Sequence, residues 1–351
     1  MEIFDLMSEG GHEQLSFWND PELGYRGIIA IHDTTMGPAL GGTRFWNYDS
    51  DADAIVDVLR LSRGMTYKAA ITGLNLGGGK SVIWGDNKTI DREMIFRAHG
   101  RAVEAMGGRY ITAEDVGTSP DDMEFVHMET EHVVGLIGRS GDPSPVTAYG
   151  VYRGIKASAK ARYGSDSLSG KHVVVQGLGH VGYHLCKDLA KEKAQLTVTD
   201  LDDERIQRVV EETGAEVVAP DDVYDVDADI FAPCALGAVV NDDTLDRLSF
   251  DIIAGAANNQ LARGEDHGPA LKERGILYAP DYVINAGGLI NVYGEINEWS
   301  AERSKRKAGD IYNTLLRIFA LAESEDTSTD VAANRVAERR IQEARHLQRT
   351  W

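Results

Sequence analysis

Apolar residues along the chain follow two patterns, short continuous runs and faces with helical spacing. The continuous runs predict buried strands at 27–32, 81–84, 110–112, 172–176, 195–199, 215–219, 228–232, 252–255 and 276–279. The faces with helical spacing predict helices at 51–64, 91–106, 147–162, 184–191, 301–323 and 331–347. Strands and helices alternate over most of the chain, which predicts an α/β fold built on parallel strands.

Two stretches rich in glycine and proline interrupt this pattern. Residues 33–43 contain three glycines and a proline, which predicts a loop. Thr147, which follows the other stretch, is a candidate cap for the helix predicted at 147–162. That second stretch, residues 138–145, holds two prolines and two glycines and is the best candidate for a linker. Because 351 residues suit two domains of roughly 150 residues each, we expect the domain boundary there, after residue 140.

The run at 172–176 opens the most specific motif in the chain. It leads into a GxGxxG sequence, then a helix, a second strand and Asp200, which follows Gly182 by 18 residues. The motif residues are Gly177, Leu178, Gly179, His180, Val181 and Gly182. This order is typical of a Rossmann unit, in which the helix N-terminus binds the pyrophosphate and the acidic residue binds the ribose. Asp200 would repel a 2′-phosphate, so we expect NAD rather than NADP.

Two lysines lie twelve residues apart in a segment that is otherwise almost uncharged. Lys68 follows the first predicted helix, and the glycines at 77–79 precede Lys80. Burial, or a second ammonium group nearby, lowers the pKa of a lysine and lets it act as a base. The glycines would allow positive φ and a close approach to a small molecule. The alternative is a glycine-rich turn that carries two solvated lysines.

Two carboxylates, Glu114 and Asp115, follow the strand predicted at 110–112. Ligands of open α/β sheets bind at the carboxyl ends of strands, so this is a candidate site position. An acidic surface loop is the alternative.

Charge and cysteine content exclude several classes of function. Lys and Arg number 36 against 56 Asp and Glu, and the formal net charge of −20 would repel nucleic acid and anionic membranes. The N-terminus has no signal-peptide pattern, and no apolar run approaches the length of a membrane span. Cys186 and Cys234 lack the spacing of a disulfide framework or a metal site. These features predict a cytoplasmic protein without a metal.

Long motifs in both halves of the chain resemble the glutamate/leucine/phenylalanine/valine dehydrogenase superfamily, and most of all its members that act on leucine. The motifs lie at 31–44, 73–80, 110–118, 143–150, 232–237 and 255–261. The resemblance implies an open α/β substrate-binding domain at 1–140, to which the C-terminal helix at 328–351 returns. It also implies a doubly wound, Rossmann-type NAD-binding domain at 141–327.

The resemblance further implies roles for single residues. Lys80 matches the catalytic lysine, Asp115 the carboxylate that assists proton transfer, and Lys68 the lysine that pairs with the substrate α-carboxylate. The remaining residues implied to bind substrate are Leu40, Gly41, Ala113, Val134, Asn258, Leu289 and Val292. The residues implied to lie near nicotinamide are Thr147, Asn259 and Asn285.

The apolar character of the implied side-chain pocket favours an aliphatic substrate. An unpaired glutamate carboxylate would cost roughly several kcal/mol there, and Leu40 and Leu289 leave less room for phenylalanine. We therefore expect NAD-dependent oxidative deamination of L-leucine and other branched-chain L-amino acids to 2-oxo acids and ammonia. The alternatives are a phenylalanine or tryptophan dehydrogenase of the same superfamily and a non-catalytic NAD-binding regulator. The regulator would have lost Lys68, Lys80 or Asp115, and all three are present.

The resemblance also implies association into a homo-oligomer. In the family, residues of the C-terminal tail help to assemble an octamer, and the tail of this chain is shorter. A dimer and an octamer are therefore both open.

Overall fold

Each of two units in the chain is built around its own β-sheet. A computed structural model describes residues 2–89, 91–139, 142–235 and 237–349. Unit 1 comprises Met1–Gly141, Glu295–Glu298 and Ala337–Trp351, and unit 2 comprises Asp142–Gly294 and Trp299–Val336.

Unit 1 contains a mixed sheet with helices against both faces. Its elements are α1 (Ile3–Gly10), β1 (Gln14–Asp20), β2 (Tyr25–Asp33), β3 (Ala39–Trp46), α2 (Asp51–Ile71), β4 (Gly77–Trp84), α3 (Arg92–Glu104), β5 (Tyr110–Glu114) and α4 (Pro120–His127). Among the described residues, five strands pair in the order β1-β2-β4-β3-β5. Strand β3 runs parallel to β4 and β5, so these three strands end at the same edge of the sheet.

The two faces of this sheet pack against different helices because side chains alternate along each strand. One face, which includes Ala30 and Val82, packs against the apolar stripe of α2. The opposite face packs around Phe96 of α3. Since Ala30 pairs with Lys80 across β2 and β4, Lys80 lies on the α2 face of the sheet.

Helix α2 is longer than the sequence pattern predicts. It begins after Ser50, whose side chain accepts a hydrogen bond from the Asp53 N–H, and it continues through Gly64 to Ile71. Gly64 is exposed, and a Cβ added there would meet no described atom within 4 Å. The predicted end at this glycine is therefore wrong, and Lys68 lies in the last turn of α2.

The three glycines before Lys80 form the start of β4, and none of them adopts the positive φ that a glycine would allow. A Cβ at Gly77 would lie 2.1 Å from the carbonyl oxygen of Asp33, and one at Gly78 would lie 2.2 Å from the backbone nitrogen of Thr66. These glycines let the neighbouring chain and α2 approach β4 closely. They bring Lys80 into the core of unit 1 and not onto a loop.

Part of the loop predicted at 33–43 belongs to β3. Gly41 stands directly beside β4, where an added Cβ would lie 1.7 Å from the carbonyl oxygen of Gly79. Glycine signals a loop in most sequences, but here it marks two strands that lie close together.

Unit 2 contains a parallel sheet. Its elements are α5 (Ser144–Tyr163), β6 (His172–Gln176), α6 (His180–Lys191), β7 (Gln195–Thr199), α7 (Asp203–Thr213), β8 (Glu216–Val217), β9 (Ile230–Pro233), β10 (Ile252–Ile253), α8 (Gly264–Glu273), β11 (Leu277–Tyr278), α9 (Asp281–Ile284), α10 (Gly287–Ile296), α11 (Ala301–Gly309) and α12 (Ile311–Ser324). Helix α13 (Thr329–Arg349) begins in unit 2 and ends in unit 1. Within the described residues, six strands pair in the order β11-β10-β9-β6-β7-β8, and every pair is parallel. Counted from β6, this is the 3-2-1-4-5-6 order of a Rossmann sheet.

Two helix predictions in unit 2 differ from the structure. The single helix predicted at 301–323 is two helices, α11 and α12, which meet at Asp310. Thr147 does not cap α5, because the helix begins earlier and Pro143 occupies the cap position.

Candidate active site

A buried lysine lies in the sheet of unit 1. Lys80 belongs to β4 and is 4% exposed. Its Nζ is 2.9 Å from Oδ2 of Asp115, the residue that follows β5. Strands β4 and β5 both pair with β3, and this arrangement brings the two predicted catalytic residues together.

The surroundings of Lys80 disfavour its ammonium form. Burial has the largest effect on the pKa of Lys80 and lowers it, and the positive charge of Arg44 acts in the same direction. The carboxylates of Asp115 and Asp57 oppose this effect, but the net pKa remains below the ordinary value. Burial by itself would raise the pKa of Asp115, whereas Lys80 and Arg44 together hold it below its ordinary value. Lys80 therefore gives up its proton more readily than a solvated lysine.

Arg44 is a site residue that sequence reasoning did not single out. It lies on β3, with Nε 3.1 Å from Oδ2 of Asp115 and Nη1 2.8 Å from Oδ2 of Asp57. The hydroxyl of Tyr48 also donates to Oδ2 of Asp57, at 2.8 Å. One signal in the sequence could have identified Arg44. It is a charged residue in the largely apolar stretch that forms β3, and such a residue is rarely buried without a partner.

Three residues predicted to contact the substrate side chain are buried in unit 1. Leu40, Ala113 and Val134 are 3%, 9% and 6% exposed. In the pairing of β3 with β5, Leu40 and Ala113 lie on the same face of the sheet. Leu40 also pairs with Gly78 of β4, two residues before Lys80, which places Leu40 and Ala113 on the Lys80 face.

A buried polar network lies on the opposite face of the same strands. Nε2 of His99 lies 2.9 Å from the Thr43 hydroxyl and 3.1 Å from the Ser81 hydroxyl. The hydroxyl of Tyr110 donates to the carbonyl of Gly41 at 2.5 Å. Burial lowers the pKa of His99 to about 3, so this histidine is neutral at ordinary pH. The network links β3, β4 and β5, the strands that position the candidate site.

Lys68 is partly exposed in the last turn of α2, and the end of this helix is held by α13. Nη1 of Arg340 donates to the carbonyl of Ala70 at 2.9 Å, and Nη2 donates to the carbonyl of Leu74 at 3.1 Å. Carbonyl groups at the C-terminus of a helix lack partners within the helix, and an arginine satisfies them. The C-terminal part of α13 thus fixes the turn that carries Lys68.

The dinucleotide fingerprint lies between β6 and α6 in unit 2. Gly177 has φ 96°, which favours glycine, and a Cβ at Gly182 would lie 2.0 Å from the Gly177 carbonyl oxygen. Gly179 has no such constraint, because Nη1 of Arg205, at 4.0 Å, is the only described atom that its Cβ would approach. The open space beside this glycine at the N-terminus of α6 fits a pyrophosphate. The other loop residues are Leu178, which is buried, and His180 and Val181, which begin α6.

Asp200 follows β7 and bonds back to the fingerprint. Its Oδ2 accepts a hydrogen bond from the Leu178 N–H at 2.6 Å, and its Oδ1 accepts one from the Asp202 N–H at 3.0 Å. A carboxylate has about four acceptor positions, so Asp200 can still accept hydrogen bonds from ribose hydroxyls.

Two of the predicted asparagines meet in unit 2. Nδ2 of Asn285 donates to Oδ1 of Asn258 at 2.7 Å and to the carbonyl of Ala256 at 3.1 Å. Oδ1 of Asn285 is buried and has no hydrogen-bond partner among the described residues. Because a buried acceptor without a partner costs about 1–3 kcal/mol, this geometry fits an amide donor such as the carboxamide of nicotinamide. The neighbouring Asn259 has φ 50°, in the left-handed region.

Thr147, Leu289 and Val292 lie on α5 and α10 of unit 2. A Cβ at Gly287 would lie 2.5 Å from Cα of Thr147, so α10 begins directly against α5. Leu289 is buried and Val292 is partly exposed.

Other chemistry is limited in the residues that the structure describes. Cys186 and Cys234 are free, and burial raises the pKa of the Cys234 thiol to about 12. Over residues 2–89, 91–139, 142–235 and 237–349, no cluster of His, Cys, Asp and Glu could hold a metal ion. No helix in this part of the chain combines the length and the apolar character needed to cross a membrane.

Two segments of the chain match one protein family. Residues 12–132 match the Glu/Leu/Phe/Val dehydrogenase, dimerisation domain, and residues 192–349 match the Glutamate/Leucine/Phenylalanine/Valine dehydrogenase. The chain belongs to the Glu/Leu/Phe/Val dehydrogenase family. It is an amino-acid dehydrogenase, and the resemblance drawn from the motifs is confirmed.

Individual relatives of this dehydrogenase match along nearly their whole length. The chain is 54% identical to the leucine dehydrogenase of Thermoactinomyces intermedius, over 100% of this chain and 96% of that protein. It is 48% identical to the L-tryptophan dehydrogenase of Nostoc punctiforme, over 97% of this chain and 96% of that protein. The crystal structure of L-tryptophan dehydrogenase from Nostoc punctiforme matches with a TM-score of 0.89 and 47% identity, over 98% of this chain and 99% of that one. The predicted two-domain α/β fold with a Rossmann-type domain is confirmed.

Proposed function

We propose that the chain catalyses the NAD-dependent oxidative deamination of L-leucine and other branched-chain L-amino acids to 2-oxo acids and ammonia. The observation that carries this proposal is the buried pair in unit 1, with Nζ of Lys80 2.9 Å from Oδ2 of Asp115. A relative with 54% identity over the full chain is a leucine dehydrogenase, which supports the choice of substrate.

The chemistry needs groups that move protons at a carbon that is losing hydride. Once the substrate ammonium has lost a proton, loss of hydride from the amino-acid Cα leaves an iminium. Water adds to it, and ammonia departs as the added hydroxyl loses its proton to leave the 2-oxo acid. A base must take a proton from the attacking water, and a proton must reach the departing nitrogen. In our proposal neutral Lys80 is this base, and Asp115 exchanges protons with the nitrogen. Lys68 pairs with the substrate α-carboxylate, and Asn258 and Gly41 help to orient it.

The fingerprint of unit 2 fits a dinucleotide. NAD bound there would supply the hydride acceptor. Gly179 leaves space at the N-terminus of α6, Asp200 has acceptor capacity for ribose hydroxyls, and Asn285 has a buried acceptor for an amide. The other residues proposed to contact the cofactor are Thr147, Gly177, Leu178, His180, Val181, Gly182 and Asn259.

The residues proposed to contact the substrate side chain carry no charge. Leu40, Ala113 and Val134 are buried in unit 1, and Leu289 and Val292 of unit 2 are equally apolar. A glutamate carboxylate among such residues would cost roughly several kcal/mol without a cation. This argues for an aliphatic substrate.

Initial rates of formation of the reduced cofactor test the proposal. The substrates are L-leucine, L-isoleucine, L-valine, L-phenylalanine, L-tryptophan and L-glutamate, each with NAD and with NADP, and D-leucine is the control. We expect kcat/KM for leucine with NAD to exceed that for phenylalanine or tryptophan by at least about 10-fold. A preference for either aromatic substrate would establish the alternative, a phenylalanine or tryptophan dehydrogenase. Failure to oxidise any of the amino acids would overturn the proposal.

We also propose that the enzyme is a cytoplasmic homo-oligomer. The description of residues 12–132 as a dimerisation domain supports association, and the free cysteines suit a reducing compartment. Light scattering on the purified protein distinguishes a dimer from an octamer.

A further inference from the structure

Arg44 and Lys80 reach the same oxygen of Asp115. Nε of Arg44 lies 3.1 Å from Oδ2, and Nζ of Lys80 lies 2.9 Å from it. Among the described residues, no hydrogen bond or ion pair reaches the other oxygen, Oδ1. Two donors on one oxygen fix the orientation of the carboxylate and leave Oδ1 available for a further partner.

Asp57 holds the other side of the Arg44 guanidinium. Its Oδ2 lies 2.8 Å from Nη1 of Arg44 and accepts the Tyr48 hydroxyl, and Nη2 of Arg60 reaches Oδ1 at 3.1 Å. The side chains of Arg44 and Asp57 are only 21% and 15% exposed. Two carboxylates fix the orientation of the planar guanidinium, and the guanidinium in turn fixes the orientation of the Asp115 carboxylate.

Arg44 also supplies a charge that does not change during the reaction. Arginine stays protonated over the whole working range of an enzyme, whereas a lysine that acts as a base does not. After the larger effect of burial, the charge of Arg44 lowers the pKa of Lys80 further. Against the opposing effect of burial, Lys80 and then Arg44 lower the pKa of Asp115. When Lys80 is neutral, Arg44 is the cation that remains in contact with Asp115.

In the part of the chain that the structure describes, the cations that contact Asp115 are Lys80 and Arg44. Besides Arg44, Asp57 and Asp115, the titratable residues on β2, α2 and β5 are Tyr25, Arg26, His32, Asp33, Asp51, Asp53, Arg60, Arg63, Tyr67, Lys68, Tyr110 and Glu114, and Tyr48 lies between β3 and α2. Burial lowers the pKa of His32 to about 4, so His32 is neutral in the range of an activity assay. Arg60 bonds to Oδ1 of Asp57, whereas Arg44 bonds to Oδ2.

We propose that Arg44, anchored by Asp57, is a positioning residue for proton transfer, which holds Asp115 by Oδ2 so that Oδ1 meets the substrate nitrogen. This proposal rests on the proposed function. Arg44 exchanges no proton and touches no reacting atom. It presents the carboxylate and provides the fixed positive charge that Asp115 needs when Lys80 is neutral.

Two substitutions separate the charge of Arg44 from its geometry. Arg44→Gln removes the charge, and Arg44→Lys keeps the charge but cannot contact two carboxylates in the same way. Arg97→Gln is the matched control, because Arg97 also bridges two carboxylates, Glu93 and Glu129, but does so on α3.

We expect Arg44→Gln to lower kcat for leucine by at least about 10-fold while KM changes little. The acid limb of the pH profile of kcat/KM should move to higher pH, because Lys80 loses a neighbouring cation and its pKa rises. Arg44→Lys should return the limb towards its wild-type position while kcat stays low. Arg97→Gln should leave kcat and the limb unchanged.

A second readout does not depend on turnover. Labelling of the Lys80 amine by acetic anhydride, followed by mass spectrometry across pH, reports its protonation, and this profile should also move to higher pH in Arg44→Gln. Asp57→Asn provides a further variant if Arg44→Gln does not fold. It should lower kcat and move both profiles to lower pH, because Asp57 raises the pKa of Lys80.

Unmoved profiles in a folded Arg44→Gln protein would overturn the proposal, and so would a raised KM with an unchanged kcat. If the wild-type protein oxidises no amino acid, the proposed function fails, and the labelling profiles still decide whether Arg44 acts on Lys80.

Discussion

Replacing Gly78 with alanine tests whether the glycines before Lys80 serve close packing. The added Cβ would lie 2.2 Å from the backbone nitrogen of Thr66 and 2.5 Å from the carbonyl oxygen of Ser62, both in α2. An ordinary contact begins at 3.4 Å, so α2 and β4 must separate by about 1 Å. Overpacking of this kind costs about 1–3 kcal/mol. Because α2 also carries Lys68, a shift of this size should lower kcat/KM by about 10- to 100-fold.

Thermal unfolding and leucine oxidation measure the two effects. Gly64→Ala is the matched control, because it adds the same methyl group to α2 where the Cβ would meet no described atom within 4 Å. We expect Gly64→Ala to stabilise the protein by about 0.5–1 kcal/mol and to leave activity unchanged. We expect Gly78→Ala to lower both the Tm and kcat/KM. A Gly78→Ala protein with wild-type Tm and activity would refute the packing argument.

Two further predictions concern cofactor choice and acid stability. Asp200→Ala should raise kcat/KM with NADP relative to NAD, because it removes the charge that repels a 2′-phosphate. Asp200→Asn, which keeps an acceptor for the Leu178 N–H, should raise this ratio too if charge is decisive. An unchanged ratio in both variants would contradict the role of Asp200 in cofactor choice. Burial lowers the pKa of His99 to about 3 and that of His32 to about 4, from an ordinary 6.5. Below pH 6.5 the unfolded chain therefore binds more protons than the folded protein, and the free energy of unfolding falls as the pH falls towards 4. At pH 5 the two histidines together should lower the free energy of unfolding by roughly 4 kcal/mol. Urea unfolding at pH 7 and pH 5 measures this difference, and His99→Gln should remove about half of it. A difference that is unchanged in His99→Gln would count against the argument.

The local motifs of the site could be predicted from the sequence. The fingerprint and Asp200 lie within one strand, helix and strand, and neighbouring residues determine this unit. The apolar run at 195–199 corresponds to β7 with the same bounds, because a short buried strand between two helices leaves little freedom.

Other parts of the site depend on contacts between distant segments. Arg44 meets Asp115 only because β3 lies between β4 and β5 in the sheet, and a linear pattern does not specify that order. The glycines of β4 fit a loop or a strand equally well until the partner that approaches them is known. Gly64 is likewise a helix terminator in an isolated peptide, but the packing of α2 against β4 overrides that preference.

Substitution of Lys80 tests the central claim most directly. Lys80→Ala should lower kcat for L-leucine by at least about 10³-fold, while NADH binding, measured by fluorescence, should remain close to wild type because the fingerprint lies in unit 2. Lys88→Ala, which removes an exposed lysine shortly after β4, is the control for loss of a positive charge. Loss of turnover with intact NADH binding is the result that we predict. Retained turnover in Lys80→Ala would contradict the account.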